Sequence, residues 1–203
     1  MFNLPVRTEI NKVIFKKSLF QKFSKELSGN KKMNFDKDIK KLTIINEISE
    51  ESVQIKSTED ISSIFLILVE LKSKKINNEN LKLISKLLGQ KILLILKYEN
   101  EFRLAIYETT LLFSDWKSEE DIKLNIQGLD LSQVWNNIIT QVVDIKIEQG
   151  NTLREQIEIE NRKRKIIKQI EIIENKARKE PQSKKKFELF QQLKAYEKEL
   201  EKM

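Results

Sequence analysis

The chain has 203 residues, enough for one well-buried core with an appended helical element and short for two independent globular domains. Cysteine and histidine are both absent, which excludes disulfides, thiolate and imidazole metal sites, iron–sulfur ligation and every Ser-His or Cys-His nucleophile. With 38 Lys and Arg against 31 Asp and Glu the formal charge is +7, a bias toward a polyanion or an acidic partner.

The opening segment, residues 2–17, is of mixed polarity with Pro5 near its start and is expected to lie across the domain. From 18 to 27, Leu19, Phe20, Phe23 and Leu27 recur at three- and four-residue spacing and predict a short amphipathic helix, ended by Ser28-Gly29-Asn30. Thr43, Ile44, Ile45 and Ile48 predict a strand over 42–48, and Val53 with Ile55 a second after the turn at Ser49-Glu50-Glu51. Residues 64–71 are apolar on both parities, as a central strand covered on both faces requires. Leu81, Ile84, Leu87 and Leu88 mark a helix over 77–90, with Asn77 or Asn78 as N-cap and Gly89 as its stop. Strands follow over 92–96 and 102–107, joined as a hairpin by the polar turn at 98–101, and a further strand is expected over 111–116. The charged stretch 117–123 reads as a loop. Gly128 then precedes a helix over 130–143 whose Leu131, Val134, Trp135, Ile138, Ile139 and Val142 form one stripe.

Beyond Glu148 the composition becomes a dense mixture of Lys, Arg, Glu and Gln with one Gly and one Pro, the make-up of long helices. Leu153, Ile157, Ile166 or Ile167, Ile170, Ile173 and Ala177 keep helical spacing. Leu189, Leu193, Tyr196, Leu200 and Met203 follow the four-three alternation of a coiled-coil seam. Glu180-Pro181-Gln182-Ser183 breaks the run, because proline suits a first turn and not a helix interior. The expected fold is therefore α+β: a small mixed β-sheet domain with packed helices over residues 1–147, then a basic antiparallel helical hairpin, a coiled-coil-like arm, over 148–203. A single kinked helix in a dimeric coiled coil is the alternative.

The longest apolar run, 61–71, is interrupted by Ser62, Ser63 and Glu70 and falls short of the roughly 20 residues a membrane span needs. The amino terminus has no apolar stretch before a small-residue cleavage site, so no membrane segment and a cytoplasmic location are expected. Four glycines and no Walker-type loop, GxGxxG or HExxH leave no cofactor and no metal expected.

Two groups of residues could carry chemistry. Glu70-Leu71-Lys72 at the end of the central strand, with Asp60 before it, has the residue types of a metal-dependent nuclease, in which carboxylates bind the metal and Lys positions water. A polar strand end is the ordinary alternative. The second group is basic: Arg162, Lys163, Arg164, Lys165, Lys168, Lys176, Arg178, Lys179, Lys184, Lys185 and Lys186, opposed only by Glu171, Glu174 and Glu180. Such spacing wraps around a helix, so part of it must face outward, toward DNA or RNA phosphates or toward an acidic protein surface. No aromatic residue is interleaved between Arg162 and Lys186, which argues for backbone contacts over base stacking. Self-association through the carboxyl-terminal helices is a third possibility. Trp135 is expected in the core and Trp116 as a core lid, with an interface anchor as the alternative.

Several segments, in order along the chain, resemble a bacterial family, domain of unknown function 4391. They are Asn3-Leu4-Pro5, Thr8 and Asn11-Lys12 near the start, Leu71-Lys72, Phe113-Ser114-Asp115-Trp116, and Gly128-Leu129-Asp130-Leu131. Lys176 to Gln182, continuing through Lys186-Phe187-Glu188-Leu189 to Lys198-Glu199-Leu200, resemble its charged terminal helices. Phe15, Glu108, Pro181 and Ser183 depart from the family pattern. The resemblance implies a setting beside helicases and DNA methyltransferases of restriction-like anti-phage defence systems. There this chain would be an accessory subunit partnered by a larger helicase or methyltransferase subunit.

Overall fold

A computed structural model of the protein describes residues 2–143 and 150–202. The chain divides into two compact units, Met1–Asp144 and Ile145–Met203. The boundary expected between 147 and 148 lies outside the described residues.

The first unit opens with a 3₁₀ turn, Val6–Thr8, and strand β1 (Glu9–Ile14), followed by helices α1 (Lys16–Lys22) and α2 (Asn30–Asp38). Strand β2 (Ile39–Ser49), the short helix α3 (Glu50–Val53), strand β3 (Ser63–Leu71), helix α4 (Asn78–Ser85) and strand β4 (Lys91–Tyr98) come next. Strands β5 (Glu101–Tyr107), β6 (Leu111–Phe113) and β7 (Lys117–Ser118) and helix α5 (Leu131–Val143) complete it. Among the described residues the strands form one mixed sheet in the order β1-β2-β3-β4-β5-β6, with β7 paired to β5. Of these strands, among the described residues, β3 and β4 alone pair in parallel, Ile64 opposite Lys91 through Glu70 opposite Lys97. A parallel neighbour demands a crossover, and α4 lies in it.

β3 explains the layering. Ile67, Val69 and Leu71 join Leu19, Phe23, Phe35, Leu81, Ile84, Leu94 and Leu96 in one core under α1, α2 and α4. Ile64 and Leu66, of the other parity, are fully buried outside that cluster. Helix α5 packs on β3, β5 and β6, burying Leu131, Val134, Trp135, Ile138, Ile139 and Val142. A strand with helices over both faces must be apolar on both parities, and β3 is so from Ile64 to Val69, with Ser63 and Glu70 only at its ends.

Buried polar groups are paired. Asn46 Nδ2 donates to Thr8 Oγ1 at 2.8 Å, and that hydroxyl donates to the Pro5 carbonyl at 2.7 Å, where the β1–β2 and β2–β3 registers both shift. Glu108 accepts from the Trp135 indole N–H at 2.6 Å and from Lys91 Nζ at 2.8 Å, tying α5 to the sheet. Asp130 Oδ1 accepts from the Gln133 N–H at 2.8 Å to start α5. Gly128 precedes it at φ +156°, where a Cβ would stand 2.7 Å from the Val134 nitrogen.

Four local expectations are corrected. Ser49 and Ser52 form a capping box, so residues 50–53 make one helical turn instead of leading into a strand at Val53 and Ile55. The helix expected over 77–90 ends at Ser85, that expected over 18–27 spans Lys16–Lys22, and β7 lies in the stretch read as a loop. Trp135 is buried; Trp116 is half-buried against the core.

The second unit contains helices α6 (Leu153–Lys179) and α7 (Ser183–Glu201), which pack together as a hairpin. Thr152 and Glu155 form a reciprocal capping box at the start of α6, with Thr152 N–H to Glu155 Oε2 at 2.8 Å. Glu180-Pro181-Gln182 makes the turn. Arg162, well before the turn, meets Glu199, about as far after it, at 2.6 Å, which sets the helices antiparallel. Ile166, Ile173 and Ala177 of α6 are buried, whereas no residue of α7 is.

Candidate nucleic-acid and partner interface

The acidic group at the end of β3 is assembled differently from its linear spacing. Asp60 precedes β3 and Glu70 stands at its other end, more than about 20 Å away at the rise of an extended strand. Glu70 lies opposite Lys41 across the β2–β3 ladder. Its carboxylate pairs with Lys40 at 3.9 Å and Lys41 at 4.0 Å. Lys72 turns toward α2: its Nζ donates to the Asp36 carbonyl at 2.6 Å and its N–H to the Asp38 carbonyl at 2.9 Å. The fold thus keeps Glu70 and Lys72 close along the chain and leaves Asp60 out.

The carboxylates that do arrive at this end, Asp36 and Asp38, carry no motif in the sequence, and each is occupied. Asp36 is bridged to Lys16 at 2.8 Å. Asp38 Oδ2 accepts from the Asn77 N–H and from the buried Asn80 amide, both at 2.9 Å, so it pins the start of α4. Their signal is their place immediately before β2, since the first residues of β2 lie opposite the last of β3. Among the described residues no cluster of three or more carboxylates is placed to hold a metal ion.

In the hairpin, the turn sorts the cations into two groups. Arg162, Lys163, Arg164, Lys165 and Lys168 stand midway along α6; Arg178 and Lys179 at its end adjoin Lys184, Lys185 and Lys186 at the start of α7. Fifteen helical residues, about 22 Å, separate Arg164 from Lys179. The midway group is partly neutralised, Arg162 by Glu199 at 2.6 Å and Lys163 by Glu160 at 3.3 Å. Arg178, Lys179, Lys184, Lys185 and Lys186 are exposed and form no ion pair among the described residues. Lys176, Lys179 and Lys185 also line an open cleft of about 540 Å³ beside the turn, with Glu180 and Glu188 on its walls.

The turn group is electrostatically asymmetric. Lys176, Arg178 and Lys179 sit in the last turn of α6, where a helix dipole favours positive charge. Lys184, Lys185 and Lys186 occupy the first turn of α7, where it disfavours positive charge, with no acidic residue there and no side-chain cap from Gln182. An arriving phosphate would relieve that repulsion and meet backbone N–H groups lacking a side-chain cap.

A mixed-sheet α+β unit followed by a helical hairpin defines the class of protein. The chain belongs to the family described as Domain of unknown function (DUF4391), which matches residues 2–200. No curated protein and no solved structure matches it. Among the described residues no helix is long and apolar enough to cross a membrane.

Proposed function

We propose that the protein is a non-catalytic accessory subunit of a DNA-acting complex, and that the hairpin turn is the part that meets the phosphate backbone. One observation carries this reading: the five cations Arg178, Lys179, Lys184, Lys185 and Lys186 gather at the turn without an ion pair among the described residues, three of them on the wrong end of a helix dipole. Polyphosphate is the chemistry that satisfies such a group, through counterion release and charge-assisted contacts. The dispersal of Asp60 from Glu70 and Lys72 supports a role in binding over one in cleavage. In this reading, which the family resemblance supports, the setting is restriction-like anti-phage defence and the sheet unit docks on a larger helicase or methyltransferase subunit.

The test is the salt dependence of duplex binding. Changing Lys184, Lys185 and Lys186 together to Ala is expected to lower the slope of log K against log salt by about 2 to 3, at ~0.9 for each phosphate no longer neutralised. Changing Arg162 and Lys163 to Ala is expected to move it much less. Absence of nucleic-acid binding at low salt, or a turn triple variant that binds like the parent, refutes the reading.

Self-association is a second reading with an observation of its own, the lack of any buried residue in α7. It predicts a sedimentation mass above the monomer that falls when Leu193 and Leu200 are made polar.

A further inference from the structure

The expectation that this arm is bare of aromatic side chains near its cations stops one residue short. Phe187 and Phe190 follow the lysine triplet and are 62% and 45% exposed. They do not belong to the seam: Leu189, Leu193, Tyr196 and Leu200 keep the four-three spacing of the face toward α6 and are half-buried. At i and i+3, Phe187 and Phe190 are neighbours on α7 outside the seam, Phe187 pointing away from it and Phe190 on its flank. Lys184 lies three residues before Phe187, Lys186 four before Phe190 and Lys194 four after it, so three cations border the two rings.

Exposed apolar residues such as Val6, Met33 and Leu129 stand apart from one another in the sequence and need no explanation, and Ile10, Val13 and Phe15 lie on or beside the exposed edge strand β1. A pair of phenylalanines on one helix face, ringed by lysines without ion pairs among the described residues, is a different object. Leaving two rings in water costs apolar hydration. The surrounding charge then selects the occupant: it must be flat and apolar at its centre and anionic at its edge. Unpaired bases on a phosphate backbone have that form, and every base offers a π-face to an aromatic ring. The helix rise puts the two Cα atoms about 4.5 Å apart along the axis. That is close to the ~3.4 Å per nucleotide of one DNA strand, so neighbouring bases would meet neighbouring rings.

We infer that the outer face of α7 is a stacking platform for single-stranded nucleic acid, with Phe187 and Phe190 against bases and Lys184, Lys186 and Lys194 on the flanking phosphates. The inference rests on the proposed function and deepens it, from phosphate contact by the turn to recognition of unpaired strand. It also assigns the two ends of the platform different work. The lysine triplet supplies salt-dependent affinity for any nucleic acid, and the rings supply preference for strands whose bases are free.

The chain of 203 residues would be titrated with three probes of equal phosphate number: oligothymidylate, the same oligonucleotide made wholly abasic, and a duplex. The parent is expected to bind oligothymidylate at least roughly 10-fold more tightly than the abasic chain. Phe187→Ala with Phe190→Ala is expected to erase that preference, leave abasic and duplex binding in place, and leave the circular dichroism unchanged because both rings are exposed. Equal binding of oligothymidylate and abasic chain by the parent overturns the inference while sparing the proposed function. A preference that survives the double variant overturns it too. A parent that sediments as a dimer and falls to a monomer in the double variant shows that the rings face a second copy, and overturns it in favour of self-association. If none of the three probes binds, the proposed function fails and takes the platform with it.

Discussion

The two units differ in how much of themselves they bury. In the sheet unit, buried polar groups such as Asn46 and Thr8 are bonded to each other, and the half-exposed Glu108 holds both Lys91 and Trp135. Among the described residues no buried side-chain nitrogen or oxygen is left without a hydrogen bond. In the hairpin, five cations at the turn lack an ion pair among the described residues, and α7 buries no residue at all. A fold that satisfies its own groups has little left to offer a partner at them; a pair of rods with a half-covered seam and unpaired charge has a great deal.

The sharpest way to break this contrast is to cut equal side chains in both units. Leu94→Ala, on a fully buried position of β4, is expected to lower the unfolding free energy of the sheet unit by about 2–5 kcal/mol. Leu193→Ala, on a half-buried position of α7, is expected to cost clearly less, and thermal melts resolving the two units would compare them. Equal losses would mean that α7 is covered by something and that the contrast is false.

A smaller effect tests whether the paired polar groups are obligatory. Asn46→Ala removes the donor to Thr8 Oγ1 at the double register shift and is expected to cost about 1–3 kcal/mol in denaturant unfolding. Near-neutral behaviour would show that a water replaces the amide.

The smallest effect is acidic. At the start of α6 the backbone N–H and then the hydroxyl of Thr152 hold the Glu155 carboxyl below its ordinary range. A carboxyl whose folded pKa is depressed contributes stability that is complete above its unfolded value, about 4.3, and is lost as pH falls through the folded value. Helicity of α6 is therefore expected to decline in acid below that point, and Glu155→Gln to flatten the decline. An acid titration by circular dichroism that is identical in both proteins would remove the cap from the account.

How much of the structure is legible in the sequence varies with burial. β3 and β4, apolar at nearly every position, and α5, with one unbroken stripe, carry their structure in their periodicity. β1 leaves no such trace because its side chains are almost all exposed and do not alternate, as an edge strand allows. α2 buries only Phe35, too little for a pattern. Linear proximity groups Asp60 with Glu70, whereas a strand that separates its two ends brings Asp36 and Asp38 to Glu70's end through antiparallel pairing. The cations read as one run for a similar reason. Only the position of the turn shows that Lys179 belongs with Lys184 and not with Arg164.

The antiparallel seam also makes the hairpin divisible. Because its apolar positions recur every seven residues, about 10 Å of rod, equal heptads could be removed from α6 and α7 with Pro181 kept between them. The shortened rods would still mesh, and the lysine end would be carried along unaltered. The hairpin can therefore change length one heptad pair at a time without any change in the chemistry at its turn.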